Sequence, residues 1–454
     1  MVKRLRVGAS FDGGTHRADD RPMKFLPVLL LLALAAGAAK LLAAAPAPQV
    51  ETEPADGIVP PGGEGALLVS APGASGPVAV ELRENGKTPL SKDEAPLTNG
   101  RARVTAKLDR PGAVLASVSL AGEDGAKTVK KAGLIFAPEQ IAPVAARPAD
   151  FDEFWDGQLS ALAGQPLDAQ VEKPADQPPG VVFGKFSLAV SATQRVRGQM
   201  AWPDQPGKFP ALLIFQWAGV YPLERGTVVG NAKNGWLAVN VMPHDLAVDE
   251  PKAFYDAQAQ GPLKEYGLIG RDSRETSYFL RMYLGARRVL DYVKTLPQWD
   301  GRTLVVHGTS MGGAQALVAA ALDDGVTAAV VNVPALCDQN GPEAGRAAPF
   351  PYWLAKESGT LDPRRISEAA RYFDVAHFAP RVKAPVLVSA GLADESCPPA
   401  GIAAMANLLG GAKEIVFMPG ANHQGDGGTH EPYIRRSKAW LEAARTGKSL
   451  PPPR

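Results

Sequence analysis

Ser310 lies at the centre of Gly308-Thr309-Ser310-Met311-Gly312, directly behind the apolar run Thr303–His307 and directly ahead of the small-residue stretch Gly313–Leu322. A strand, a glycine-flanked turn and a helix are the setting of a nucleophile elbow. The turn forces the serine into a backbone conformation that L residues seldom adopt, and side chains two positions away on either side would collide. It lifts the hydroxyl clear of the sheet and aims the Met311 N–H, at a helix N-terminus, toward any oxyanion formed there. A serine also needs a base, and the base needs a carboxylate to orient it. In this setting the chain order is Ser, acid, His. After the late strands the only histidines are His423 and His430. Asp394, in the loop leaving Pro385–Ala390, is the expected acid, taken over its neighbour Glu395. His423, in the loop after Lys413–Met418, is the expected base; His430 opens the C-terminal helix, where a surface or capping role is expected. The implied chemistry is acyl transfer to water, with no metal or organic cofactor, and zinc-type ligand spacing is absent.

The second oxyanion donor should come from the loop after the early strand Pro210–Phe215, and the backbone N–H of Ala218 is the candidate. Trp217 in that loop, and Tyr352 and Trp353 in the region 339–366 where such folds insert a cap, are the candidate substrate-contacting side chains; plain packing is the alternative. His244 and Asp245 follow another strand and stand outside the Ser–acid–His order, while His307 reads as a packed core histidine.

These residues need a rigid sheet to bring them together. Candidate strands are 181–190, 195–201, 210–215, 236–242, 303–307, 328–333, 385–390 and 413–418. Several are continuously apolar, as in a parallel sheet covered on both faces. Between them, 277–295 repeats apolar residues at spacings of three and four, one buried helical face. The expected fold is an α/β-hydrolase with a central, mostly parallel sheet over 150–446, followed by a tail at 447–454. Asp150 is expected to cap a helix carrying Phe151, Phe154, Trp155, Leu159 and Leu162. Ahead of it, residues 65–137 alternate apolar and polar positions, as in Val78–Leu82 and Ala102–Leu108. Turns at Asn85-Gly86, Asn99-Gly100 and Asp124-Gly125 punctuate the alternation. That pattern predicts a small all-β, Ig-like sandwich serving as spacer or packing partner. Residues 46–64 read as a linker and 138–149 as a connector.

The formal net charge of +1 provides no field to recruit nucleic acid or an anionic membrane. The apolar stretch Phe25–Ala36, preceded by Met23-Lys24 and followed by Ala43-Ala44-Ala45, reads as a signal peptide within residues 1–45. Its run is short for a bilayer and Lys40 interrupts it, so a secreted or periplasmic protein without a lasting membrane span is expected. The two cysteines, Cys337 and Cys397, each follow a core strand; sequence alone leaves open whether they pair.

The chain resembles the acetyl xylan esterase / cephalosporin-C deacetylase family of serine esterases over about residues 138–445. The likeness is carried by Arg147–Trp155, Arg287-Arg288-Val289, His307–Gly313, Pro334–Asp338 and Gly391–Pro399. It implies Ser310, Asp394 and His423 as nucleophile, acid and base. It further implies small acyl esters as substrates, chiefly acetyl groups on carbohydrate hydroxyls, and leaves an oligomer open. The chain departs from the family pattern with Met311 in place of Gln, Gln424 in place of Glu, and Pro243-His244-Asp245 in place of Arg-Gly-Gln. The rival readings are a peptidase or lactone hydrolase on the same scaffold, or a non-catalytic carbohydrate-binding protein.

Overall fold

The computed structural model describes residues 47–74, 76–121 and 126–453. The expected signal peptide and the Asp124-Gly125 turn lie outside them. The first part is all β. Strands β1 (Gln49–Glu53), β3 (Glu64–Ser70) and β6 (Arg101–Lys107) make one sheet. Strands β2 (Ile58–Val59), β4 (Val78–Glu84), β5 (Thr88–Ala95), β7 (Gly112–Ala121) and β8 (Lys127–Phe136) make the other. The period-2 alternation does the work. Val78, Val80 and Leu82 turn inward and pack with Leu67, Val69, Val114, Val118 and Leu134. The stretch read as a linker is corrected here. β1 pairs antiparallel with β3, and β2 runs parallel to β8. Most of β1 is exposed, and such an edge strand tolerates the charged, proline-rich composition that suggested a linker.

The second part is a nine-stranded sheet. In chain order its strands are β9 (Gln170–Glu172), β10 (Val181–Ala189), β11 (Arg195–Pro203), β12 (Phe209–Phe215) and β13 (Leu237–Met242). They continue with β14 (Trp299–Thr309), β15 (Ala328–Asn332), β16 (Val386–Gly391) and β17 (Lys413–Met418). Spatial order is β17-β16-β15-β14-β12-β13-β11-β10-β9. From β13 to β17 the neighbours run parallel, and β11, β10 and β9 add antiparallel at the far edge. Helices cover the sheet: α1 (Phe151–Ala163), α2 (Arg225–Lys233), α3 (Lys252–Gln260), α4 (Tyr278–Thr295) and α5 (Met311–Leu322). The remainder are α6 (Pro363–Ala370), α7 (Val375–Phe378), α8 (Pro399–Asn407) and α9 (Glu431–Arg445). This is the α/β-hydrolase arrangement. Its central strands β15 and β16 are buried throughout because helices cover both faces, and α5 is buried along its whole length.

Asp150 precedes α1, but its side chain does not cap the helix. The carboxylate instead accepts from Arg274 and Tyr372, the nearer competitors for its oxygens. Cys337 and Cys397 are both buried free thiols. No helix among the described residues is long and apolar enough to cross a membrane.

Candidate active site

The elbow is tight because its glycines have no room for a side chain. Ser310 takes φ 57° and ψ −122°, a strained combination for a residue with a Cβ. A Cβ on Gly308 would lie 2.2 Å from the Gly312 carbonyl oxygen, and one on Gly312 would lie 2.2 Å from the Phe215 carbonyl oxygen. The turn is held from below by the Ser310 N–H, which donates to the Asn332 carbonyl at 2.9 Å.

Three side chains from distant stretches then meet. His423 Nε2 is 2.9 Å from Ser310 Oγ, and His423 Nδ1 is 2.7 Å from Asp394 Oδ2. The other carboxylate oxygen accepts the N–H groups of Ser396 and Cys397 at 2.8 and 2.9 Å. Asp394 is thus buried and oriented from both sides. Glu395, its neighbour, points away and pairs with Lys131. Burial pushes the Cys397 thiol well above its ordinary pKa, so a neutral S–H accompanies the carboxylate. Asp394, Cys397 and His423 do bring their ligand atoms within 4.8 Å of one another. Both imidazole nitrogens are already engaged by Ser310 and Asp394, so this set does not fit a metal.

His430, the other histidine considered, stands beside the base loop. Its Nε2 bonds the Asn422 carbonyl at 3.0 Å, and since a carbonyl only accepts, that nitrogen carries the proton. Nδ1 then accepts from Asn332 Nδ2 at 3.2 Å, while Asn332 Oδ1 accepts from Ser389 Oγ at 2.6 Å. His430 therefore braces the residue that precedes His423.

A cavity of about 450 Å³ opens above the serine, lined among others by Trp217, Ala218, Ser310, Phe350, Tyr352 and His423. Met311 is fully buried and is not among the lining residues; as the first residue of α5 its N–H has no intrahelical acceptor. Trp217 is 58% exposed at the mouth, its ring 5.8 Å from that of Tyr221. Trp353 does not line the cavity. It is 1% exposed, packs on Phe279 and Phe373, and donates its indole N–H to the Gly267 carbonyl. Among cavity residues, the sequence reading missed Asn332, Ser396 and Gln424 as contributors. Asn332 was within reach of it: it ends the strand beside the elbow strand, where side chains reach the site. His244 and Asp245 lie apart from the cavity lining; Asp245 pairs with Arg197.

The acetyl xylan esterase (AXE1) family model matches residues 139–438. The acetyl esterase Axe7A of Xylanibacter ruminicola is 30% identical over 354 residues, 76% of this chain and 79% of that protein. Among solved structures, an acetyl xylan esterase from a Paenibacillus species superposes with a TM-score of 0.57 at 24% identity, covering 66% of this chain and 98% of its own. Acetyl xylan esterase 1 from a Thermoanaerobacterium species gives 0.56 at 21%, covering 66% and 96%. The two structures share the fold of the sheet and its helices. The match in sequence runs through the elbow, the acid loop and the base loop alike, and on that ground the chain belongs to the acetyl xylan esterase family of carboxylic ester hydrolases.

Proposed function

We propose that this protein removes acetyl groups from carbohydrate hydroxyls by a Ser310–His423–Asp394 triad and a covalent acyl-enzyme. The observation that carries the reading is the unbroken hydrogen-bonded row from Ser310 Oγ through both nitrogens of His423 to Asp394, at the floor of the cavity. Oγ attacks the ester carbonyl carbon while His423 Nε2 takes its proton. The carbonyl oxygen becomes an oxyanion facing the N–H groups of Met311 and Ala218, each such donor contributing about 3 kcal/mol to the barrier lowering. Asp394 holds the imidazole in the tautomer with Nδ1–H and stabilises the imidazolium that forms. The tetrahedral species collapses, the C–O bond to the sugar breaks, and the imidazolium returns its proton to the departing alkoxide. Water then gives a proton to His423 as its oxygen attacks the acyl carbon; the bond from that carbon to Ser310 Oγ breaks, Oγ regains the proton from the imidazolium, and acetate departs. Support for acetyl and for carbohydrate comes from the family and from the acetyl esterase relative. The exposed Trp217 at the mouth offers an apolar face of the kind on which a sugar ring packs. The apolar leader at Phe25–Ala36 supports export, which N-terminal sequencing of the mature protein would check.

Purified protein should hydrolyse 4-nitrophenyl acetate and release acetate from acetylated xylan, and Ser310→Ala should lower kcat by at least about 10⁴-fold. Equal activity of wild type and Ser310→Ala would overturn the triad.

A further inference from the structure

We propose that Tyr266 and His244 form a buried clamp that spaces the two halves of the oxyanion hole, and that both are positioning residues for the ester chemistry. The proposal rests on the triad reading above. Gly219 directly follows Ala218, and its backbone is held on both sides. Its N–H donates to the Tyr266 hydroxyl at 3.1 Å, and its carbonyl accepts from His244 Nε2 at 2.9 Å. Its φ of 136° lies in the region open to glycine, and a Cβ there would lie 2.9 Å from the Tyr221 ring.

The proton directions follow from the partners. A carbonyl only accepts, so His244 carries its proton on Nε2. Nδ1 of the neutral ring must then accept, which makes the Tyr278 hydroxyl the donor across 2.7 Å. The Tyr278 oxygen is left to accept from Arg281 Nη1 at 3.1 Å. Tyr266, having accepted from Gly219, sends its own proton to Met311 Sδ at 3.3 Å. One phenol therefore touches both the loop that presents Ala218 and the residue whose N–H is the other oxyanion donor. His244, Tyr266 and Tyr278 are all buried, and none lines the cavity. They reach the reaction only through the Gly219 backbone and the Met311 side chain they hold, which is how oxyanion donors are fixed before charge develops.

The test uses the full chain with Tyr266→Phe, His244→Leu and His244→Gln, assayed for kcat and KM on 4-nitrophenyl acetate. Each variant is also timed for covalent labelling of Ser310 by a phosphonate ester, whose addition forms a comparable oxyanion. Tyr266→Phe and His244→Leu should lower kcat and the labelling rate together by about 10- to 100-fold, with KM within about threefold. His244→Gln keeps an N–H able to reach the Gly219 carbonyl and should recover most of the loss. Full kcat in Tyr266→Phe, or a loss carried in KM alone, would overturn the clamp. If the tyrosine variant does not fold, the His244→Leu and His244→Gln pair decides: equal defects in both overturn it. An inert wild type would instead refute the triad reading.

Discussion

Histidine serves two opposite ends in this molecule. His423 lies between the Ser310 hydroxyl and the Asp394 carboxyl group, a hydrogen-bond partner on each ring nitrogen. His244 is sealed among Tyr266, Tyr278 and the Gly219 carbonyl, and burial lowers its pKa from 6.5 to about 4. Between those two values the unfolded chain binds a proton that the folded chain refuses. Stability linked to His244 is therefore present above about pH 6.5 and lost as pH falls toward 4, by up to about 3 kcal/mol. His307, also lowered by burial, acts in the same sense. Asp374, pushed up to about 6 by burial, acts in the opposite sense over an overlapping range. A difference measurement isolates His244: denaturant unfolding of wild type and His244→Gln between pH 7 and 4.5 should show the wild type losing stability more steeply. Parallel profiles would refute the assignment. At this scale order along the chain restricts the choice to Asp394 and His423, and the structure brings both together with Ser310. The sequence was not readable for Trp353, whose indole N–H finds the Gly267 carbonyl 86 residues earlier. An aromatic in a proline-rich stretch looks the same whether it lines a cavity or fills a core.

The elbow shows how an element turns small residues into geometry. α5 starts against the end of β12, and a Cβ on Gly312 would lie 2.2 Å from the Phe215 carbonyl oxygen and 2.9 Å from that of Gln216. Both atoms are backbone and cannot swing away. Gly312→Ala should therefore pry the helix from the strand and move Met311 away from the Ala218 loop. The expected result is a kcat loss of at least about 100-fold and a stability loss of about 1–3 kcal/mol. Steady-state kinetics and urea unfolding would read the two effects; a variant with wild-type kcat would show that the contact yields harmlessly. Element prediction from sequence followed burial. All strands from β10 to β17 were expected, several of them from the continuous apolar runs that a sheet covered on both faces leaves. β9 was missed, being three exposed residues at an edge with no pattern to show. β1 and β2 were hidden in a composition suited equally to linkers and to edge strands.

At the scale of the whole molecule the sandwich and the hydrolase sheet make one compact unit. Ala113 and Ile135 of the sandwich pack in one apolar cluster with Leu392, Ala400 and Ala403 of the hydrolase part. The two backbones approach closely at Gly133 in β8. Its N–H donates to the carbonyl of Pro419, which begins the base loop, at 2.9 Å. A Cβ at Gly133 would lie 2.1 Å from the carbonyl oxygen of Leu392, two residues before the acid. One backbone position thus abuts the loops of both Asp394 and His423, so the sandwich packs directly against the proposed triad's loops. The nearby ion pair of Lys131 with Glu395 joins half-exposed partners and contributes at most about 1 kcal/mol. The two contacts should therefore separate on mutation. Gly133→Ala must displace the acid loop by a substantial fraction of an ångström, which is enough to cost about 10- to 100-fold in kcat on an acetyl ester. Lys131→Ala should leave kcat unchanged. Circular dichroism on both variants checks that the fold persists. Full activity in Gly133→Ala would reduce the sandwich to a spacer, and an equal loss in Lys131→Ala would shift the weight from shape to charge.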